Sequence, residues 1–88
     1  MDTLNNTITR QVGAEVLKNT RKYKSVSQSE LARRLGVSQP LVSSWESGRI
    51  TLGIKDIVAI EQVLELDEGS MLMQIAYPKV ARNTEPTP

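Results

Sequence analysis

The sequence predicts an all-α fold, a compact bundle of five short helices, from three observations. Apolar residues recur at helical spacing in two stretches, Ile8 to Tyr23 and Ile54 to Glu65. Ser27-Gln28-Ser29-Glu30 is a helix-start signature, and Gly36-Val37-Ser38 separates two short helical runs.

The first helix carries Ile8, Val12, Val16 and Leu17 on one face and ends in the basic residues Lys18, Arg21, Lys22 and Lys24, which complement a helix C-terminus. In the second, the Ser27 hydroxyl is placed to accept from the amide of residue 30 while the Glu30 carboxylate reaches back to the amide of residue 27, a full capping box. It turns Leu31, Ala32 and Leu35 inward and Arg33 and Arg34 outward. It stops at Gly36, which takes a left-handed conformation without a Cβ clash. Ser38 then caps a third helix running to about Ser47, with Pro40 tolerated in a first turn whose amides lack helical partners. After a loop from Arg49 to Gly53, a fourth helix repeats Ile54, Ile57, Val58, Ile60, Val63 and Leu64. Asp67 is the expected cap of a short fifth helix through Met71, Leu72 and Ile75, ended by Pro78.

These elements make one domain over residues 8–77. A flexible N-terminal arm is expected over 1–7, and a disordered tail over 78–88, where Thr84-Glu85-Pro86-Thr87-Pro88 has nothing apolar to pack. With one Trp, two Tyr and no Phe, the core must be aliphatic. Such a core suffices, since chains of about 60 residues already fold alone.

Composition also narrows function. Without Cys or His the chain lacks the common ligands of transition metals and the common general base, so neither an enzyme nor a bound metal or cofactor is expected. No apolar run approaches the ~18 residues of a membrane span and no signal-peptide core is seen, so the reading is a soluble, cytoplasmic protein without a membrane partner. Net charge is only +1, yet residues 1–49 hold eight Lys/Arg against four Asp/Glu and residues 50–88 hold three against six. That asymmetry suits a molecule turning one basic face to a polyanion.

Two short helices joined by a three-residue turn form a helix-turn-helix. The turn sets them nearly perpendicular and frees the second to enter a major groove about 12 Å wide. The spacing fits: counting Gln28 as first, small Ala32 is fifth, where the helices touch, Gly36 is ninth, at the turn, and Val37 and Val42 pack the inner side at the tenth and fifteenth positions.

On Ser27-Gln28-Ser29-Glu30-Leu31-Ala32-Arg33-Arg34-Leu35-Gly36-Val37-Ser38-Gln39 and Val42-Ser43-Ser44-Trp45-Glu46-Ser47-Gly48-Arg49, the sequence resembles the lambda-repressor-like DNA-binding family, the phage repressor and Cro proteins and their bacterial relatives. The likeness covers about residues 10 to 75. It implies a sequence-specific transcriptional regulator, Cro-like or repressor-like, occupying an operator on double-stranded DNA through recognition helix 39–47. By the same resemblance Gln28 binds a phosphate and braces Gln39, whose amide suits adenine N6 and N7. Base contacts are expected from Gln39, Pro40, Ser43 and Ser44. Phosphate contacts are expected from Gln28, Ser38, Arg34, Ser47 and Arg49, with Lys22 and Lys24 as further candidates. Leu41 fits either a thymine methyl or packing. The resemblance also implies that Trp45 packs on the first helix and that Arg21 and Glu46 form a buried or half-buried ion pair between helices one and three.

The chain departs from the family pattern in three places. No Arg or Lys lies between Gln39 and Gly48, Pro40 replaces a residue often used for base contact, and Glu61 stands where relatives carry a small apolar residue. An operator of palindromic form would call for two copies, and Met71, Leu72, Met73, Ile75 and Tyr77 offer an apolar surface for a homodimer. From another class, an antitoxin that binds a partner toxin through its acidic C-terminal half and autoregulates through the same motif also fits the residues.

Overall fold

The computed structural model describes residues 2–77, with side chains from residue 10 onward. Its regular structure is helical throughout: α1 (Asp2–Tyr23), α2 (Gln28–Leu35), α3 (Gln39–Glu46), α4 (Ile54–Val63) and α5 (Ser70–Ala76). The first helix begins at Asp2 where an arm over 1–7 was expected. Neither Gly nor Pro occurs before Gly13, so nothing in those residues breaks a helix already propagating from the core. The expected tail over 78–88, Pro78 included, lies outside the described residues.

The junctions follow local chemistry. After α1 the chain turns at Ser25, φ 58°, and the Val26 amide donates to the Arg21 carbonyl at 3.1 Å. Ser27 caps α2 by accepting from the Glu30 amide at 3.0 Å. The reciprocal half of the expected box is missing, because the Glu30 carboxylate is taken instead by Arg33 (2.6 and 3.0 Å) and Arg34 (2.8 Å). Cationic partners one turn along outcompete a neutral amide for a carboxylate. Gly36, φ 72°, closes α2 as expected, with the Val37 amide on the Ala32 carbonyl at 3.0 Å. Ser38 caps α3 through its side chain at 3.3 Å from the Leu41 amide.

Two expectations fail further along. Asp67 does not cap α5 with its side chain. The helix begins at Ser70 after Gly69, and the carboxylate of Glu61 on α4 accepts from the amides of Gly69, Met71 and Leu72 at 3.0, 2.9 and 3.0 Å. Nor do all the periodic residues of α4 face inward. Ile57 and Ile60 do, but Ile54 is 68% and Val58 40% exposed.

The core gathers Leu17, Leu31, Val42, Trp45, Ile60 and Met71 with Val26, Ala32, Leu52, Ile57 and Leu64. Burying each of the larger aliphatic side chains contributes about 1.5–3 kcal/mol. Helix α3 packs on α1 and α2, α4 on α2 and α5, and α5 returns to α1, closing the bundle. The outcome for function is that α3 is held from two sides with its remaining side free.

Candidate nucleic-acid interface

Helix α3 is divided cleanly. At about 100° per residue, positions 39, 40, 43, 44 and 47 fall on one side and 42, 45 and 46 on the other. Val42, Trp45 and Glu46 are buried, whereas Gln39, Pro40 and Ser47 are exposed and Ser43 and Ser44 half-buried. The four residues expected to meet bases are therefore on one accessible face. Leu41 is half-buried and packs against the core with part of its side chain. Trp45, 3% exposed, lies in the same core as Leu17 of α1, as expected.

Beneath that face is a hydrogen-bonded chain. Arg21 of α1 makes a two-pronged contact with Glu46 of α3, Nε to Oε2 at 2.6 Å and Nη2 to Oε1 at 2.9 Å, and its Nη1 donates to the Val26 carbonyl at 2.8 Å. The Gln28 Nε2 donates to Glu46 Oε1 at 3.0 Å, and Gln39 Nε2 donates to Gln28 Oε1 at 2.8 Å. Thus the expected brace of Gln39 by Gln28 and the expected α1–α3 ion pair are both present, and they are one network. Burial resists ionisation of Glu46, but hydrogen bonds from Arg21 and Gln28 and the charges of Arg21 and Lys18 outweigh it and hold its pKa below the ordinary 4.5. The Arg21 guanidinium is held above its usual value by the hydrogen bond to Glu46, against the effect of burial.

The residues expected at phosphates are less uniform. Arg49 is exposed just beyond α3, its amide bonded to the Ser44 carbonyl at 3.0 Å. Its guanidinium makes no ion pair among the described residues. Ser38 uses a hydroxyl lone pair for its cap and still has a proton to donate. Ser47 donates its hydroxyl proton to the Ser44 carbonyl at 3.1 Å, so an anion there would have to displace that bond. Arg34 is engaged within the protein: it binds Glu30 and, at 3.3 Å, the Val63 carbonyl at the end of α4. Arg33 and Arg34 together lower the Glu30 carboxyl to about 2. Lys22 is exposed and Lys24 half-buried at the end of α1.

Sequence reasoning missed two features. The Glu46–Gln28 bond links residues eighteen positions apart and leaves no local signal. Glu61 did leave one, an acidic residue at an apolar position of α4, and its buried carboxylate answers it by capping α5. The surface offered for a second copy also needs correction. Met71 is 1% exposed and belongs to the core, and Leu72 and Ile75 pack partly against it, leaving Met73 and Tyr77, each 55% exposed, as the outward residues.

Comparison with known proteins fits this geometry. The chain is 29% identical over 79 residues to a protein of Methanocella arvoryzae named "Putative HTH-type transcriptional regulatory protein", an alignment covering 89% of this chain and 24% of that one. The chain thus spans about a quarter of that relative's length. No solved structure matches it. A family model described as helix-turn-helix matches residues 17–69, more than half of the chain, from Leu17 in α1 through the turn at Gly36 to Gly69 before α5. With that match laid over the capped pair α2–α3, the chain belongs to the helix-turn-helix family in its lambda-repressor-like form.

Proposed function

We propose that this chain is a sequence-specific transcriptional regulator of Cro or repressor type, which occupies an operator by laying α3 in the major groove of double-stranded DNA. The observation that carries the reading is the accessible face of α3, headed by a Gln39 amide already fixed by Gln28 at 2.8 Å. A pre-oriented amide loses little freedom on meeting a base, and one N–H with one carbonyl oxygen matches the edge of adenine. Pro40, Ser43 and Ser44 complete the base-facing set. Gln28, Ser38 and Arg49 form the nearest phosphate-facing set, with Ser47 and Arg34 able to join by sharing bonds they already make. The absence of Lys or Arg from the face of α3 leaves guanine without its commonest reader.

The test begins with selection of bound duplexes from a random pool. On the preferred site, Gln39→Ala should weaken binding by about 1–3 kcal/mol while nearly sparing unrelated DNA, because a base contact is lost and phosphate contacts remain. Equal losses on both duplexes would remove Gln39 from the base-reading set.

A further inference from the structure

We infer that the direction in which Gln39 reads a base is set from the protein core: Arg21, acting through Glu46 and Gln28, makes Gln39 present one N–H and its carbonyl oxygen outward, and so selects adenine over guanine at the base pair it faces. The inference deepens the proposed function and rests on Gln39 being a base contact. Arg21 and Glu46 are positioning residues here, since neither touches DNA.

The relay starts from groups that have no choice. A guanidinium only donates, and Arg21 is pinned by three bonds, two to Glu46 and one to the Val26 carbonyl. An ionised carboxylate only accepts, so Gln28 must turn its NH2 group toward Glu46 Oε1, at 3.0 Å. That leaves the Gln28 carbonyl oxygen facing Gln39. An oxygen there can only accept, so Gln39 must offer its own NH2 group, at 2.8 Å. Of the Gln39 amide, one N–H and the carbonyl oxygen remain for DNA. Adenine shows an acceptor at N7 and a donor at N6, which that pair satisfies.

The alternative polarity is instructive. Two glutamine amides facing each other can run their hydrogen bond either way at similar energy, so the Gln28–Gln39 pair holds no preference until an acceptor takes an N–H of Gln28: Glu46 does so from within the protein, and a phosphate on the second N–H would favour the same polarity. Reversed, Gln39 would spend its oxygen on Gln28 and present both N–H groups, which suit the two acceptors of guanine, O6 and N7. Reversal in this protein would set the Gln28 oxygen against the carboxylate of Glu46, which is 6% exposed, and leave that carboxylate one donor short away from water. Burial of the ion pair is therefore what makes the polarity of an exposed amide definite.

The experiment measures binding to the selected duplex with A·T or G·C at each position, for wild type, Gln39→Ala, Arg21→Met/Glu46→Met and Gln28→Lys. The double variant replaces the ion pair by apolar side chains of similar length, an exchange that buried pairs often tolerate. Lysine at position 28 only donates and would force the opposite polarity on Gln39. Wild type should prefer adenine by about 5- to 150-fold at one position, which Gln39→Ala identifies by losing it. At that position the double variant, left with only the phosphate to orient Gln28, should show a reduced preference while discriminating normally elsewhere, and Gln28→Lys should turn toward guanine. If the double variant does not fold, Gln28→Lys decides alone. Adenine preference that disappears in Gln39→Ala but survives at full strength in the double variant or in Gln28→Lys would overturn the relay. A Gln39→Ala protein unchanged at every position would overturn the base contact itself, and the proposal with it.

Discussion

Glu46 is a carboxylate out of reach of water, and its ionisation there depends on what donates to it. Arg21 supplies two hydrogen bonds and Gln28 a third, against the penalty of burial. Removing one member of such a pair leaves the other charged and unmatched. Glu46→Ala and Arg21→Ala should each destabilise the domain by about 3–5 kcal/mol, measured by urea unfolding. That is much of the stability of a small domain. The pH dependence follows from the lowered pKa of Glu46 in the folded state. The contribution is fully present above the ordinary carboxylate value of 4.5 and is lost as pH falls below it toward the depressed folded value. Wild-type unfolding free energy should therefore decline on acidification below that value, and a Glu46→Ala curve should be flatter over the same interval.

At the scale of elements, α5 depends on a residue that is not its own. A helix of seven residues is too short to hold itself together in isolation. Its first amides are met by Glu61 from α4, and the Met71 side chain, 1% exposed, anchors it in the core. Glu61→Ala would strand several amides, one of them buried, and should cost about 2–3 kcal/mol, with helical signal lost by circular dichroism before the main transition. Glu61→Gln, which keeps an acceptor oxygen, should lose less. Helix α3 should be unaffected in both variants, because its own supports are α1 and α2.

Across the whole molecule, the proposed function calls for two surfaces, one that faces DNA and one that meets a second copy of the chain. For the DNA-facing one the prediction concerns salt: the logarithm of affinity should fall linearly with the logarithm of salt concentration, Arg49→Ala should reduce the slope by about one unit, and neutral Gln28→Ala should leave it almost unchanged. Both substitutions leaving affinity intact at every salt concentration would count against the phosphate set. Assembly is the second matter, since one module buries only about 600–1,000 Å² of protein surface and operator affinity usually takes two copies on half-sites one helical turn apart. Met73 and Tyr77 are the exposed apolar residues of α5 and its end. Wild type should sediment as a dimer at micromolar concentration, and Met73→Glu/Tyr77→Glu as a folded monomer without cooperative binding. A dimer surviving that change would move the contact elsewhere, with exposed Ile54 and Val58 on α4 the next residues to substitute.

The turn and the two helices around it were legible in the sequence. Ser27, Gly36 and Ser38 act on amides within a few positions of themselves, so the turn of the helix-turn-helix and both of its helices are placed to within a residue or two. The outward face of α3 also follows from spacing alone, because helical periodicity assigns Gln39, Ser43 and Ser44 to the side opposite Val42 and Trp45. Competition among partners was not legible. Glu30 had an amide within reach and took two arginines, Asp67 was the nearer cap for α5 and distant Glu61 made the bonds, and Ile54 kept the right period yet faces out. Nor does any pattern join Glu46 to Gln28 across eighteen positions. The sequence by itself thus determined where α2 and α3 start and stop and which face of α3 is presented, since those depend on interactions a few residues long. Only the tertiary structure decided which donor meets which acceptor and which apolar residue finds the core, because those outcomes depend on where the other helices lie.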